Sequence, residues 1–321
     1  MEKNNIQKCI YCKSKNTIKN KTRETTSGLS IQYKCKECKK YFTMHSIEDF
    51  FDDTPYFFDG PKTLILDIET APIEANVWKM FKEFITDEQL RKDWYMITWA
   101  AKWLDDNKVF SSKLPDFKLY SKNKESDNEL LVGLWNLLDE ADIVVAHNGK
   151  KFDIPKINTR FLLNGYNPPS HYRLVDTYRV VKNVFGFSKN SLNFISLAMG
   201  TGQKKETGGF ELWRDCLQGK PEAWKLMEEY NIQDVEILEK DYKIIRPWMK
   251  DHPNYCVYTN GLDPRCTCGS DKVFPIDNKF YYTNLSKFQL YRCNDCGHIM
   301  RGKTNLLALS KRKNMVTNVS Y

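Results

Sequence analysis

The chain has 321 residues, of which 41% are hydrophobic and 28% charged, and its formal net charge is +8. No apolar run approaches the roughly 18 to 20 residues of a membrane-spanning helix, and the amino-terminal segment lacks the hydrophobic core of a signal peptide. We therefore expect a cytoplasmic protein with one large domain and smaller ones, no membrane partner, and cysteines that bind metal rather than form disulfides.

The charge is unevenly distributed along the chain. Residues 1–45 contain 11 Lys and Arg against 3 Asp and Glu, residues 46–250 contain 28 against 33, and residues 251–321 contain 10 against 5. An acidic middle between two basic ends predicts a polyanionic partner, which the ends hold and the middle acts on. Charge that only keeps the protein soluble is the alternative interpretation.

Four cysteines near the amino terminus form two Cys-x2-Cys pairs: Cys9, Cys12, Cys35 and Cys38. Four thiolates at this spacing are typical of a structural zinc site, and a fold this small would depend on the metal for its stability. Residues 33–42 resemble the second half of the zinc ribbons of nucleic-acid enzymes and transposases. We predict a ribbon over residues 1–45, with His45 as a spare ligand or a surface histidine.

A linker follows at residues 46–61, with aromatic side chains that we expect to dock on the next domain. Residues 63–68 form a short apolar, β-branched run that predicts a buried central strand. Asp67 and Glu69 lie near its end and project from the same face, because side chains two residues apart in a strand do so. Crowded carboxylates need a raised pKa or a bound cation; two solvated acids at a strand end are the alternative.

The remaining elements of the middle region follow from apolar periodicity. We predict helices over residues 75–92, 128–140, 153–163, 191–199 and 221–242. We predict further strands over residues 96–104, 108–111, 142–146 and 171–176. Residues 200–209 are interpreted as a mobile connection without a phosphate-loop pattern, and Cys216 as an inert core residue.

Two later stretches carry further candidate site residues. Asp153 follows the strand at 142–146 within the pattern Asn148-x3-Phe152-Asp153, although an aspartate there could simply be a helix N-cap. Tyr230 and Asp234 lie one turn apart on one face of the long helix. The alternative for this pair is a core tyrosine beside an exposed aspartate.

A second set of cysteines lies near the carboxyl terminus: Cys266, Cys268, Cys293 and Cys296. The first pair is a tight Cys-x-Cys, but the flanking residues still look like a zinc ribbon, which we place at residues 251–310. Cys256 and His298 are substitute ligands if one of these cysteines is not used. The basic tail at 311–321, including residues 311–313, is expected to be solvated and disordered.

Three motifs together resemble the proofreading 3′–5′ exonuclease superfamily, the DnaQ-like or DEDD group on the RNase H-like fold. Asp-Ile-Glu-Thr at 67–70 matches its first motif, and Asn-Gly-Lys-Lys-Phe-Asp at 148–153 matches the second in the form seen in family B DNA polymerases. Tyr230-x3-Asp234 matches the third motif of the tyrosine subgroup (DEDDy). The resemblance implies an α/β domain over residues 62–250, with a mixed five-stranded sheet and helices on both faces.

The resemblance also implies a site with two Mg²⁺ or Mn²⁺ ions in a carboxylate cage: Asp67, Glu69, Asp153 and Asp234. Asp67 would bridge both ions, Glu69 and Asp234 would complete the first site, and Asp153 would support the second. Tyr230 would orient the attacking water. The terminal nucleotide would be held by Thr70, Asn148 and Phe152. Two hard cations in an oxygen cage suit phosphodiester hydrolysis physically, because they supply a nucleophile and stabilise charge on the phosphate.

The expected protein is therefore a metal-dependent 3′–5′ exonuclease on single-stranded DNA, with two active-site Mg²⁺ or Mn²⁺ ions and two structural Zn²⁺ ions. A polymerase or another replication protein is a candidate partner. An RNA exonuclease, a structure-specific endonuclease and a non-catalytic nucleic-acid-binding adaptor are the alternatives. The complete set of acids argues against the adaptor, and the offset of Tyr230 from Asp234 favours an exonuclease over an endonuclease.

Overall fold

The computed structural model describes residues 9, 12, 14–25, 28–46, 60–205, 207–259 and 265–319, without the side chains of 21–31 and 42–46. Most of the predicted linker, residues 47–59, and the side chain of His45 therefore lie outside the described part. The chain divides into two compact units, Met1–Phe57 and Phe58–Tyr321. Within the described ranges, no helix is both long enough and apolar enough to cross a membrane.

The first unit is a small antiparallel sheet with a cysteine cluster. Its strands are β1 (Thr17–Thr25), β2 (Gly28–Cys35) and β3 (Tyr41–Ser46), in the order β1-β2-β3. The sulfurs of Cys9, Cys12, Cys35 and Cys38 all lie within 4.8 Å of one another. Tetrahedral zinc with Zn–S bonds of about 2.3 Å would separate its sulfurs by about 3.8 Å, close to the 3.6 Å between the Cys9 and Cys38 sulfurs. The cluster fits the predicted zinc ribbon.

The second unit is built on a mixed five-stranded sheet. Its strands are β4 (Thr63–Thr70), β5 (Glu74–Ala75), β6 (Leu90–Lys92), β7 (Met96–Trp103), β8 (Val109–Lys113), β9 (Ile143–Ala146) and β10 (Arg173–Asp176). The main sheet has the order β10-β9-β4-β7-β8, and β5 pairs with β6 separately. Strands β4, β9 and β10 are parallel, whereas β7 runs antiparallel to β4 and β8 antiparallel to β7. The predicted sheet is confirmed.

Helices cover both faces of this sheet, as predicted. They are α1 (Asn128–Glu140), α2 (Asp153–Leu163), α3 (Thr177–Val184), α4 (Leu192–Met199), α5 (Phe210–Leu217) and α6 (Pro221–Ile245). Leu64 and Leu66 of β4 point to a core shared with α1, α2 and α5, and Ile65 points to a core shared with α3, α4 and α6. Successive side chains of β4 are thus buried on opposite faces, and one layer of helices packs against each face. Each fully buried Leu or Ile side chain contributes about 1.5–3 kcal/mol to the free energy of unfolding.

Helix α6 is the longest element and connects the two cores. Its 25 residues begin with Pro221 at the first turn, where proline has no backbone hydrogen bond to lose. Trp224 and Met227 pack in the first core, and Val235 and Leu238 pack in the second. The helix ends at Ile245, three residues beyond its predicted end, and it packs against β4, the strand that carries the first two acids.

The predicted helix over residues 75–92 is wrong. The segment contains only β5, β6 and a single 3-10 turn at Asp87–Gln89. Lys82 has φ +54°, which an α-helix does not allow, and the Glu83 carboxylate accepts hydrogen bonds from the backbone N–H groups of Trp78 and Lys79. The apolar spacing was misleading because its side chains face solvent: Trp78 is 92% exposed and Phe84 is 96% exposed.

Three further elements differ from the sequence prediction. Helices α3 and α5 were not predicted, and the expected disorder of residues 311–313 is wrong because they end a short helix, α7 (Leu309–Lys313). The three cations in that last turn are favourable there, because the carboxyl end of a helix carries partial negative charge. Cys216 is fully buried in the core, as predicted.

The second cysteine cluster belongs to an antiparallel sheet of β11 (Val273–Thr283), β12 (Ser286–Cys293) and β13 (Ile299–Arg301). The sulfurs of Cys266, Cys268, Cys293 and Cys296 all lie within 4.8 Å of one another. The two substitute ligands are engaged elsewhere: His298 Nδ1 lies 2.6 Å from the Pro247 carbonyl oxygen, and the Cys256 thiol lies 3.0 Å from the Cys266 carbonyl oxygen. The cluster fits a second zinc ribbon that uses the four predicted cysteines.

This C-terminal ribbon is attached to the amino-terminal end of β4. The Tyr255 hydroxyl lies 2.8 Å from Thr63 Oγ1 in the sheet, and the Tyr255 N–H donates to the carbonyl of Thr267 in the ribbon. The Arg246 guanidinium at the end of α6 stacks 4.0 Å from the centre of the Tyr255 ring. Tyr255 therefore links the ribbon to the amino-terminal end of β4, opposite to the end that carries the acids.

Candidate active site

Three of the predicted acids meet at the carboxyl-terminal end of β4. Asp67 and Glu69 follow Ile65 on one face of the strand, because every second side chain points the same way. Helix α6 brings Asp234 to the same place. Ligand oxygens of these three carboxylates all lie within 4.8 Å of one another. The fold therefore brings together residues that are up to 167 positions apart in the sequence. We call Asp67, Glu69 and Asp234 the acid cluster.

Asp153 lies beside this cluster rather than within it. It begins α2, its side chain is 2% exposed, and it is outside the 4.8 Å group. Its negative charge nevertheless contributes to the raised pKa of Asp67. Burial raises the pKa of Asp153 itself to about 7, although the nearby backbone N–H groups of Asp153 and Ile68 act against this. The second-motif acid thus interacts with the cluster over a longer distance than the other three acids do with one another.

The electrostatics of the cluster favour a cation. Burial, followed by repulsion from Asp234, raises the pKa of Glu69 to about 8. The same two causes raise the pKa of Asp67 well above its usual value. Burial also raises the pKa of Asp234. These are the expected consequences of placing several carboxylates in a region with little water.

Lys204 is a site residue that was not identified from the sequence. It lies in the segment interpreted as a mere connection, yet its ammonium pairs with the Asp234 carboxylate and lies 3.1 Å from Tyr230 Oη. Burial lowers the pKa of Lys204, but the charges of Asp234 and Asp67 outweigh burial and raise it. One positive charge thus already partly compensates the acids. The only sequence signal was a pair of lysines within a glycine-rich loop.

Tyr230 projects from α6 one turn before Asp234, as predicted. Burial and the charge of Asp234 raise its pKa to about 12, so the phenol is neutral at physiological pH. Its ring meets Trp213 of α5 edge to face, with 6.2 Å between ring centres, which restricts its orientation. The hydroxyl is therefore available for hydrogen bonding beside the acids.

Asn231 and Asp176 support the site, and neither was identified from the sequence. The Asn231 amide donates to Asp67 Oδ2 at 2.7 Å and is fully buried. The Asp176 carboxylate, at the end of β10, accepts from the backbone N–H groups of Asn148 at 3.0 Å and Lys150 at 3.1 Å. Asp176 therefore holds the turn that leads to Asp153.

The residue types of this turn follow from its geometry. Asn148 has φ +69°, a left-handed conformation that asparagine tolerates better than most residues. At Gly149, a Cβ atom would lie 2.5 Å from the Cβ of Ala146, closer than any side chain can approach. The Asn-Gly pair of the second motif is thus required by the backbone path between β9 and α2.

A cleft of about 510 Å³ adjoins the cluster and includes one of the predicted substrate residues. Its lining includes Thr70, Ile73, Trp94, Lys156, Phe210 and Trp213. Lys156 lies 3.6 Å from the centre of the Trp94 ring and 5.3 Å from that of Phe152. Thr70 thus lines the cleft directly, and Phe152 contacts a lysine that lines it. The cleft is aromatic, which suits a nucleobase.

The residues present fit a divalent cation site. Among the described residues, Oδ1 of Asp153 and Oδ1 of Asp234 are buried and have no hydrogen-bond partner. Oxygen ligands of this kind are preferred by Mg²⁺ and Mn²⁺. Lys204 supplies a single positive charge to several acids, so further cationic charge would stabilise the cluster. The donor set and its electrostatics are those of a carboxylate metal site.

Comparisons with known proteins identify a superfamily for the chain. No curated protein sequence matches it. Among solved structures, the chain is similar to the family B DNA polymerase of the hyperthermophilic archaeon Pyrobaculum calidifontis, with 15% identity and a TM-score of 0.43, over 72% of this chain. The match spans only 29% of that polymerase. The model of the RNase_H superfamily matches residues 64–245, more than half of the chain, and the chain belongs to this superfamily.

Proposed function

We propose that this protein is a metal-dependent 3′–5′ exonuclease of the DEDDy type, which hydrolyses phosphodiester bonds of single-stranded DNA or frayed DNA ends. The observation that carries the proposal is the acid cluster, with three carboxylates within 4.8 Å at one strand end and Tyr230 one helical turn from Asp234. Membership of the RNase_H superfamily supports nuclease activity.

Two divalent ions would be held by the four acids. Asp67, Glu69 and Asp234 would hold one ion, and Asp67 with Asp153 would hold the other. When bound, such ions lower the pKa of water and stabilise charge on the attacking and leaving oxygens. The zinc ions would be structural, since each cysteine cluster provides four ligands and leaves no position for a substrate.

The protein's own groups would orient the reactants. Asn231 fixes Asp67 through its 2.7 Å hydrogen bond. The neutral Tyr230 hydroxyl would orient the attacking water. Lys204 stays charged at physiological pH, since its pKa is raised, and its position between Tyr230 and Asp234 allows it to contact a phosphate oxygen of a bound strand.

The end of the strand would be recognised by the second-motif turn and the aromatic cleft. Asn148 and Phe152 would hold the terminal nucleotide, and Thr70 would contact it from the end of β4. A pocket of this kind favours a free 3′ end over an internal bond. A proofreading role would place the protein beside a polymerase or another replication protein.

A labelled-end digestion series tests the proposal. DNA and RNA oligonucleotides of identical sequence, labelled at the 5′ end or the 3′ end, are digested with Mg²⁺ or Mn²⁺. We expect mononucleotides from the 3′ end of DNA, no products without metal, and little cleavage of a circular single strand. Faster digestion of the RNA would identify an RNA exonuclease, and rapid cutting of the circle would identify an endonuclease.

The matched control is Asp67→Asn, which keeps the size of the side chain and its oxygen for the Asn231 hydrogen bond but removes the charge. It should be folded and inactive. If neither the wild-type protein nor this variant cleaves any of these substrates, the chain is better interpreted as a nucleic-acid-binding adaptor.

A further inference from the structure

One face of the C-terminal ribbon combines aromatic and arginine side chains. Residues two apart in a strand share a face, and so do residues directly opposite each other on neighbouring strands. Phe288 and Arg292 share a face of β12; Phe288 pairs with Tyr281, and Arg292 pairs with both Phe274 and Ile299. Arg301 pairs with Leu290 on the same face. We call this set the arginine face: Phe274, Tyr281, Phe288, Arg292, Ile299 and Arg301.

Three of the four large apolar side chains of the arginine face are exposed to solvent, and Phe288 is half-buried. Phe274 is 52% exposed, Tyr281 45% and Ile299 47%. Single exposed apolar residues are common, but a contiguous group of them marks an interaction site. The Arg301 guanidinium lies 4.4 Å from the centre of the Phe288 ring and 5.2 Å from that of Tyr281, so cation and aromatic rings form one continuous surface.

The charge of this surface identifies its partner as a polyanion. None of the paired positions on the arginine face is acidic, and within the described residues neither Arg292 nor Arg301 has an ion-pair partner. The surrounding region, residues 251–321, contains 10 Lys and Arg against 5 Asp and Glu. Exposed aromatic rings stack on bases of any sequence, and arginine forks bind phosphates. A single nucleic acid strand offers both partners at once.

We propose that the arginine face binds single-stranded nucleic acid as a second contact, remote from the acid cluster. The proposal rests on the proposed function only in that the bound strand is also the enzyme's substrate. The ribbon is attached at Thr63, and Asp67 and Glu69 lie four and six residues further along β4, so the attachment point and the acids are separated by about 13 to 20 Å at 3.3 Å per residue. At the stacked rise of 3.4 Å per nucleotide this span corresponds to about four to six nucleotides, so a stacked trinucleotide held at the acids does not reach the ribbon.

Two variants of the full-length protein test the proposal: Arg292→Ala with Arg301→Ala, and Phe274→Ser with Tyr281→Ser. The probes are a fluorescein-labelled oligothymidylate much longer than this span and a trinucleotide of thymidine, with Ca²⁺ replacing Mg²⁺ in the binding measurements. Phe274→Ser with Tyr281→Ser should weaken binding of the long probe about 5- to 150-fold for each stacked base that is lost. The arginine variant should also flatten the log-affinity against log-salt slope by up to about 1.4, or 0.7 for each phosphate that is no longer neutralised. Cleavage of the trinucleotide with Mg²⁺ should not change.

The matched control lies on the opposite face of the same hairpin. Tyr282 pairs with Lys287 there, and the Lys287 ammonium lies 3.7 Å from the centre of the Phe280 ring. Tyr282→Ser with Lys287→Ala removes the same kinds of side chain from the face that points away from the arginine face. This variant should leave binding of the long probe unchanged. All variants should retain the zinc content of the wild-type protein, which shows that the ribbon is folded.

Wild-type affinity and salt slope in both arginine-face variants would overturn the proposal and would assign the surface to a protein partner. An equal loss of affinity in the control variant would also overturn it, since binding would then not be specific to this face. The nuclease assignment fails separately: if the wild-type protein cleaves nothing but the arginine-face variants lose binding, only the proposed activity is refuted.

Discussion

The cysteine clusters and the acid cluster are both groups of metal-binding side chains, but they are built in opposite ways. Each cysteine cluster joins two short pairs less than 31 residues apart, on sheets with little core of their own. The acid cluster joins residues 167 positions apart on a sheet held by two hydrophobic cores. In the ribbons the metal should stabilise the fold, whereas in the acid cluster the fold brings together charges that repel one another until a metal binds.

The largest effect should come from a ribbon cysteine. Cys293→Ser should release zinc and unfold the C-terminal ribbon, because the apparent binding free energy of a structural zinc ion, about 10–16 kcal/mol, is also folding free energy. Zinc content and amide hydrogen exchange of β11 and β12 are the measurements. Cys256→Ser is the matched control, since Cys256 is outside the cluster and serine can keep the hydrogen bond to the Cys266 carbonyl. Full zinc occupancy in Cys293→Ser would contradict the assignment.

Removing an acid should have the reverse effect, with activity lost and the fold kept. Asp67→Ala or Asp234→Ala should lower the cleavage rate by more than the roughly 10²–10⁴-fold that acid–base catalysis supplies. The metal-free protein should stay folded, because the loss of one of several mutually repelling buried carboxylates offsets the loss of its hydrogen bond to Asn231 or of its ion pair with Lys204. The measurements are rates with Mg²⁺ and Mn²⁺ and thermal unfolding. A folded Asp67→Ala protein with near wild-type turnover would refute the metal-site assignment.

Tyr230→Phe should give a smaller loss of activity. It removes the hydroxyl that would orient the attacking water but leaves all four acids and the ring contact with Trp213. We expect slower hydrolysis, within the roughly 10²–10⁴-fold range of acid–base and orientation effects, and unchanged stabilisation by metal. Single-turnover rates and melting temperatures with Mn²⁺ measure both. An unchanged rate would show that the tyrosine only packs against α5, and the DEDDy assignment would be wrong.

The raised pKa values predict how pH affects stability. The pKa of Glu69 is raised to about 8 in the metal-free protein, so between its unfolded value near 4.5 and pH 8 the unfolded chain loses a proton that the folded protein keeps. Stability should therefore fall as pH rises through this range. Metal binding requires the ionised carboxylate, so stabilisation by Mg²⁺ should be larger at pH 8 than at pH 6, reaching about 2.7 kcal/mol at a concentration of 100 Kd.

Thermal unfolding with and without Mg²⁺ at the two pH values is the measurement. Asp67→Asn is the control and should lose most of the metal effect at both. Equal stabilisation at pH 6 and pH 8 would show that the carboxylates are already ionised in the metal-free protein, and that Lys204 compensates the cluster more fully than its single charge suggests.

The smallest effect concerns the amino-terminal ribbon, whose residues 1–45 have a surplus of eight positive charges. Deleting these residues should leave a folded, metal-dependent enzyme. Its cleavage should be slow at low substrate concentration and recover at saturation, and its salt slope should be shallower by about 0.7 for each phosphate that the ribbon would have neutralised. Binding of a fluorescent oligonucleotide with Ca²⁺ across a salt series is the measurement. Equal slopes and affinities would make this ribbon a docking module for a protein partner.

Features that depend on local spacing could be predicted from the amino-acid sequence alone. The four-cysteine sets can be recognised because zinc ligands come in close pairs. Strand β4 can be recognised because a strand that is buried on both faces is continuously apolar. Asp67, Glu69 and the Tyr230–Asp234 pair follow from the periods of strand and helix. The Asn148-Gly149 pair was recognised through the resemblance of the second motif, and the structure supplies its local reason, since a Cβ at Gly149 would clash with Ala146.

Contacts between groups that are distant in the sequence became apparent only in the folded protein. A pair of lysines in a glycine-rich loop was the only sequence signal for Lys204, and Asn231 shows no pattern of its own. Their roles appear when a loop and a helix pack beside Asp234 and Asp67. The segment at 75–92 has helical spacing, but its apolar side chains have no core to cover, and Glu83 satisfies backbone groups that a helix would use. Periodicity reports which side chains could share a face; whether that face is buried depends on the rest of the chain.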